Sequence, residues 1–325
     1  MFIVVLYCSA LNFLGCLTMA KFGLKVIRFG FAILGPLSPR LAASLAFKLF
    51  CLTPSRRPKG HKAAAMQAEG IRKLASARKI PFQVGRSTVM SYHLNTETGA
   101  KKLRWLVVHG WGSNAAYVAS LPVGLAEAGA HVVALDLPGH GLSSGRSLNM
   151  KQAAEVIVEA DRQFGPFDAV VGHSFGGASL LLTLGKVFKG VGTISPAKAV
   201  VIGSPSHIQW IFDGFARMVG LSPKVRELMI HYAEKIAGAP LDDFDTIAAA
   251  TRCNIPLLVI HAEDDKEVAA EHARRFGEVD TAKVHWANGL GHRRIVSDAG
   301  VISTIAQFLT AETATSRAEG KDAAA

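Results

Sequence analysis

The sequence predicts an α/β protein with a mostly parallel central sheet, helices on both faces and a small helical cap. Three observations carry that expectation. Short apolar, β-branched runs recur along the chain, each leading into glycine or a polar turn and then a stretch of helical length. Half of the residues are hydrophobic and only 19% are charged, below the usual quarter, which suits strands buried on both faces. Polar, glycine-rich pieces fall where these runs end, and that is where ligands gather on such sheets.

The first element is apolar. MFIVVLYCSALNFLGCLTMA, residues 1–20, has no charge and about the length of one membrane span. It lacks the basic opening of a secretory signal, and the positives follow it instead, at Lys21, Lys25 and Arg28. By the positive-inside rule, a span here leaves the rest of the chain cytoplasmic, attached to the inner face of the membrane through its N-terminus. Translation starting at Met19 would leave no span. Next come an apolar run at 29–37, interrupted by Pro36, and the helical LAASLAFKLFCL at 41–52. TPSRRPKGHK, 53–62, reads as a basic, proline-containing linker. Residues 1–62 thus form an N-terminal extension.

Charge separates this region from the remainder. Residues 1–86 hold fourteen Lys and Arg against one acid, Glu69, whereas 87–325 hold twenty-two basic and twenty-four acidic residues. No nucleic-acid motif accompanies the basic excess, so contact with a membrane surface is expected and nucleic-acid binding is not. The competing reading is a helix packed on the main domain with its lysines in water.

From Phe82 the rhythm is regular. FQVGRSTVMSYHL (82–94) alternates as a half-exposed hairpin. WLVVHG, HVVALD, DAVVGHS, AVVIGS, PLLVIHA and KVHWA then read as strands, with helical stretches such as 115–128 and 153–164 between them. The expected division is a core over 63–206 and 251–312, a helical cap at 207–250 and a flexible tail at 313–325. In the cap, Ile208, Ile211, Phe212, Phe215 and Val219 form a helical stripe. It is either core-facing or the apolar wall of a pocket, and Ile211, Phe212 and Phe215 are the candidate pocket residues.

The chemistry centres on Gly172-His173-Ser174-Phe175-Gly176, a G-x-S-x-G after a strand and before a helix. A sharp strand-to-helix turn holds its central serine strained and exposed, and glycine neighbours permit the close approach. Serine needs a base, and the base needs an orienting acid. His292 follows the last strand, and the carboxylates of HAEDDKEV (261–268) follow the one before it. The four cysteines lie far apart with no C-x-x-C, and no histidine–carboxylate spacing matches a metal site. No phosphate-cradling loop or dinucleotide fingerprint occurs either, so neither metal nor cofactor is expected.

HGWGSN (109–114), DLPGHGLS (136–143), GHSFGG (172–177), HAEDDKEV and GLGHRR (289–294) together carry a family resemblance. Over roughly residues 82–312 the chain resembles the α/β-hydrolase superfamily, in its serine-nucleophile, esterase- and lipase-like branch. The resemblance implies the α/β-hydrolase fold, with Ser174 as nucleophile and His292 as general base and then acid. It implies Asp265 as the orienting acid, because Ala262 to Val268 aligns with G-x-x-D-x-x-V, with alanine in place of the glycine. The backbone N–H groups of Trp111 and Phe175 would form the oxyanion hole. His109, Gly110, Gly172, His173 and Gly176 would support these loops, and Asp136 would anchor a turn. The expected reaction is hydrolysis of a small carboxylic ester, hydrophobic or lipid-like, through an acyl-enzyme. The same residues would serve a thioesterase, carbon–carbon bond hydrolase, perhydrolase or acyltransferase. A non-catalytic small-molecule sensor is the reading of another class.

Overall fold

Eight strands join in one sheet, in the order β1-β2-β4-β3-β5-β6-β7-β8. They are β1 (Arg78–Val84), β2 (Ser87–Leu94), β3 (Arg104–Val108), β4 (His131–Asp136), β5 (Ala169–His173), β6 (Lys198–Ile202), β7 (Leu257–His261) and β8 (Ala282–Trp286). The structure is a computed structural model that describes residues 14–58, 60–96 and 102–311, with side chains from Phe22 onward. The uncharged stretch at 1–13 and the tail at 313–325 lie outside the described residues.

The hairpin β1–β2 pairs antiparallel, as the alternation of FQVGRSTVMSYHL predicts, and β2 pairs antiparallel with β4. Every other pairing is parallel. All residues of β5, β6 and β7 are buried, so the continuous apolar runs are strands covered on both faces. One cover is built from α4 (Ser120–Glu127) and α12 (Ala299–Thr310), through Leu121, Leu125, Val301 and Ile305. The other comes from α5 (Met150–Phe164), α6 (Phe175–Leu184) and α9 (Thr246–Cys253), through Val156, Ile157, Leu180 and Ile247. α5 begins on a capping box in which Asn149 and Gln152 satisfy each other's backbone N–H.

A third apolar layer joins the N-terminal helices to the interval 207–250. α1 (Leu14–Leu37) carries Pro36 in its last turn, and α2 (Pro39–Phe50) starts directly after Ser38. α2 lies along α8 (Pro223–Ala237), where Ala42, Ala43 and Ala46 are buried; their small side chains allow close approach. α7 (Gln209–Val219) and α8 belong to the interval read as a cap, while α9 runs across residue 250 and packs against α6.

Two features differ from the sequence expectation. Residues 61–73 form a helix, α3 (His61–Lys73), which is alanine-rich and buries only Gly70. The basic segment before it is a strap rather than a free linker. Leu52 bridges to Ser147, and the Arg56 guanidinium donates to the carbonyls of Gly139 (3.2 Å) and Gly145. Among the described residues no helix is long and apolar enough to cross a membrane.

Candidate active site

Ser174 stands between β5 and α6 with φ 53° and ψ −119°, a left-handed backbone that a side-chain-bearing residue rarely adopts. The turn is possible because its flanking glycines are crowded. A Cβ on Gly172 would lie 2.5 Å from Gly177 Cα, and one on Gly176 would lie 2.5 Å from the carbonyl oxygens of Val108 and His109. Ser174 occupies the N-cap position of α6, yet its side chain makes no capping hydrogen bond. Its backbone is pinned instead: Ser174 N–H donates to Ile202 O at 2.8 Å, and the Ser204 hydroxyl donates to Ser174 O at 3.2 Å.

His292 sits on a one-turn helix, α11 (Gly291–Arg294), after β8, and its Nδ1–H donates to Asp265 Oδ2 at 2.7 Å. The two groups are nearly buried, at 7% and 8% exposure. Asp265 Oδ1 accepts the backbone N–H groups of Glu267 (2.7 Å) and Val268 (2.8 Å). Burial works against an ionised Asp265, but the His292 ring and these amides outweigh it and hold the carboxyl below the usual range. Behind it the buried His261 donates from Nε2 to Val268 O, and its ring, kept neutral by burial, lies 3.8 Å from Asp265 Oδ2. The neighbouring acids do other work. Asp264 accepts Gly289 N–H at 2.8 Å, tying the two loops together, and Glu263 pairs with Arg274 and Asn288.

His173, next to Ser174, donates from Nε2 to His292 O at 3.0 Å, and the two rings lie 4.8 Å apart. Burial pushes the His173 ring down to about 3, so it is neutral. The elbow and the histidine loop therefore meet.

The HGW loop closes the remaining side. Gly110 backs onto Ser174 Cβ and His173. His109 donates from Nδ1 to Gly110 O and accepts Leu137 N–H on Nε2; His140 donates to Pro138 O and accepts Gly112 N–H. Each ring has one donating and one accepting nitrogen. That is a neutral tautomer, and burial lowers the two rings to about 4 and about 3. The Trp111 and Phe175 rings touch, with centroids 5.5 Å apart. Among the described residues, neither the Trp111 nor the Phe175 backbone N–H donates to a protein group. Asp136 accepts from Ala115 N, Leu142 N and the Tyr92 hydroxyl, which makes it the turn anchor expected of it.

Residues 105–303 match the sequence model described as the Alpha/beta hydrolase family. The chain belongs to this family. As a hydrolase of this kind it is similar in fold to several solved structures. A membrane phospholipase A described as a bacterial virulence factor is 17% identical, with TM-score 0.55, over 88% of this chain and 98% of the other. An esterase of Pyrococcus furiosus is 16% identical, with TM-score 0.55, over 79% and 98%. The thioesterase domain of the curacin biosynthetic pathway is 15% identical, with TM-score 0.51, over 73% and 100%. No curated protein matches the chain.

The hydrolase thus brings the loops bearing Ser174, Asp265, His292, Trp111 and Phe175 to one end of its sheet. Phe212 and Phe215 are buried against Phe50 of α2, with ring centroids 4.6 and 5.2 Å away; Ile211 packs on the same layer, and so does Phe175 beside Ser174. A cavity of about 350 Å³ beside α7 is lined by other residues, including His207, Phe244, Asp245 and Arg275. Within the stripe, Phe212, Phe215 and Val219 are buried in the apolar layer, while Ile208 also lines this cavity. One acid escaped the sequence reading. Glu267 Oε2 lies 4.0 Å from His292 Nε2, and Glu267 Oε1 accepts Arg293 Nε–H at 2.6 Å. Its position two residues after Asp265 was the available signal.

Proposed function

We propose that this hydrolase cleaves a carboxylic ester, hydrophobic or lipid-like in its acyl part, through an acyl-enzyme on Ser174. The observation that carries the reading is the strained Ser174 turn meeting the loop of a buried His292 whose Nδ1 is fixed by Asp265 at 2.7 Å. Ser174 Oγ attacks the ester carbonyl and its proton passes to His292 Nε2. Asp265 keeps the ring oriented and stabilises the imidazolium. The oxyanion takes the Trp111 and Phe175 amides, which have no protein acceptor to give up. His292 then gives its proton to the leaving alcohol and takes one from water; the hydroxide so formed attacks the acyl carbonyl, and His292 passes that proton to Ser174 Oγ as the acid leaves. Support for an apolar acyl group comes from Phe175, which packs with both the sheet cluster and the cap layer and so sets an apolar wall beside the nucleophile.

A series of chromogenic esters of increasing acyl length, run beside thioester and amide panels, tests this reading. Turnover should favour esters and medium to long chains, and Ser174→Ala should lower it by roughly 10⁴-fold or more. A preference for thioesters would move the reaction to that class. Fluorophosphonate labelling of Ser174 without turnover on any panel would sink the hydrolytic reading in favour of a sensor.

A further inference from the structure

α1 is apolar on two opposite faces. Leu24, Ile27, Phe31 and Leu34 turn inward and pack on the layer formed by α2, α7 and α8. Phe22, Val26, Phe29, Ile33 and Leu37, spaced by four, three, four and four residues, line the opposite face, with exposures between 49% and 78%. Leu41 and Leu45 of α2 are exposed as well, at 50% and 41%. Scattered exposed leucines need no explanation, but a continuous row of large apolar side chains does.

The charges around the row indicate what covers it. Lys25, Arg40 and Lys48 are exposed on the same two helices, and the first acidic residue in the chain is Glu69. Two copies meeting through this face would bring their cations together with no carboxylate from either helix pair to offset them. An anionic lipid surface satisfies both halves of the pattern. Apolar side chains enter the acyl boundary, while lysine and arginine stretch to the phosphates.

We propose that α1 and α2 form a docking face that seats the protein on an anionic bilayer, with α1 lying in the membrane plane. α1 has 24 residues, about 36 Å of helix, and its inner face is held against the protein from Leu24 to Leu34. That attachment fits a helix lying on the surface better than one crossing it. The proposal does not depend on the ester reading, because its readout is binding.

Flotation of the full-length protein with vesicles tests it. The protein should float with vesicles of phosphatidylglycerol and phosphatidylcholine, and much less with phosphatidylcholine alone. Raising salt to roughly 0.5 M, which shortens the screening length to a few ångströms, should weaken the binding. Val26→Ser/Phe29→Ser/Ile33→Ser should lower vesicle affinity about tenfold or more, and Lys25→Glu/Arg40→Glu/Lys48→Glu should remove the preference for anionic lipid. These side chains face outward, so the circular-dichroism spectrum and urea midpoint should stay near those of the unaltered protein and report an intact fold. The proposal is overturned if the unaltered protein ignores anionic vesicles, or if the triple serine variant floats as well as it does. A dimer that the serine variant separates, with no vesicle binding by either protein, would assign the face to a second copy and overturn it too.

Discussion

Two adjacent aspartates show how little sequence distance separates different jobs. Asp265 holds a buried imidazole, whereas Asp264 makes one exposed bond to Gly289 N–H. Asp265→Asn should cut turnover roughly 10³- to 10⁴-fold, because the amide cannot hold His292 in the required tautomer. Asp264→Asn forfeits about 1 kcal/mol of loop anchoring at most, which caps its effect near fivefold. Steady-state kinetics of both variants on one ester decides this, and the opposite ranking would reverse the assignment. The loops that carry these positions were legible because each motif is local: G-x-S-x-G and the A-x-x-D-x-x-V of residues 262–268 each fit within one loop. The Glu267–Arg293 pair was not legible, since it exists only where two loops 26 residues apart touch.

At the scale of elements, legibility followed periodicity. The strands and the hairpin were read from apolar runs, and α5 from its stripe. α3 gave no such signal to read, because it is alanine-rich and buries only Gly70, so no row of large side chains marks a core-facing side. Phe212 and Phe215 were ambiguous for the opposite reason: an apolar stripe says that a face is covered, not by what. Lys198 was also opaque. It opens β6 at 6% exposure, and its Nζ donates to the carbonyls of Phe308 (2.8 Å), Leu309 and Ala311. The last helix thus ends on a cation that satisfies carbonyls left without helical partners. Lys198→Met should destabilise the protein by about 1–3 kcal/mol, seen as a lower urea midpoint, while ester turnover in the folded protein stays near normal. An unchanged midpoint would show that the carbonyls find water equally well.

For the whole molecule, the buried histidines set a direction with pH. Burial holds His93, His109 and His272 down to about 4, and His140 and His173 to about 3. In the unfolded chain these rings take protons near pH 6.5, so between roughly pH 6.5 and 4 the unfolded state binds more protons and stability falls as pH falls. Each ring contributes at most about 1.4 kcal/mol per pH unit across that window. Asp265, held low, acts in the same direction below its unfolded value, while Asp136, raised by burial, opposes it. Urea midpoints should therefore drop steeply from pH 7 to pH 5. A flat profile would mean that these rings gain protons without unfolding.

The Arg56 strap adds a mechanical consequence. Arg56 grips the carbonyls of Gly139 and Gly145, the same turn carries His140, and His140 receives the N–H of Gly112 beside Trp111. Force applied to the extension therefore has a short route, through one guanidinium and one imidazole, to the loop of Trp111, whose amide is the proposed oxyanion donor. The N-terminal segment is thus linked to the HGW loop as well as attached to the domain.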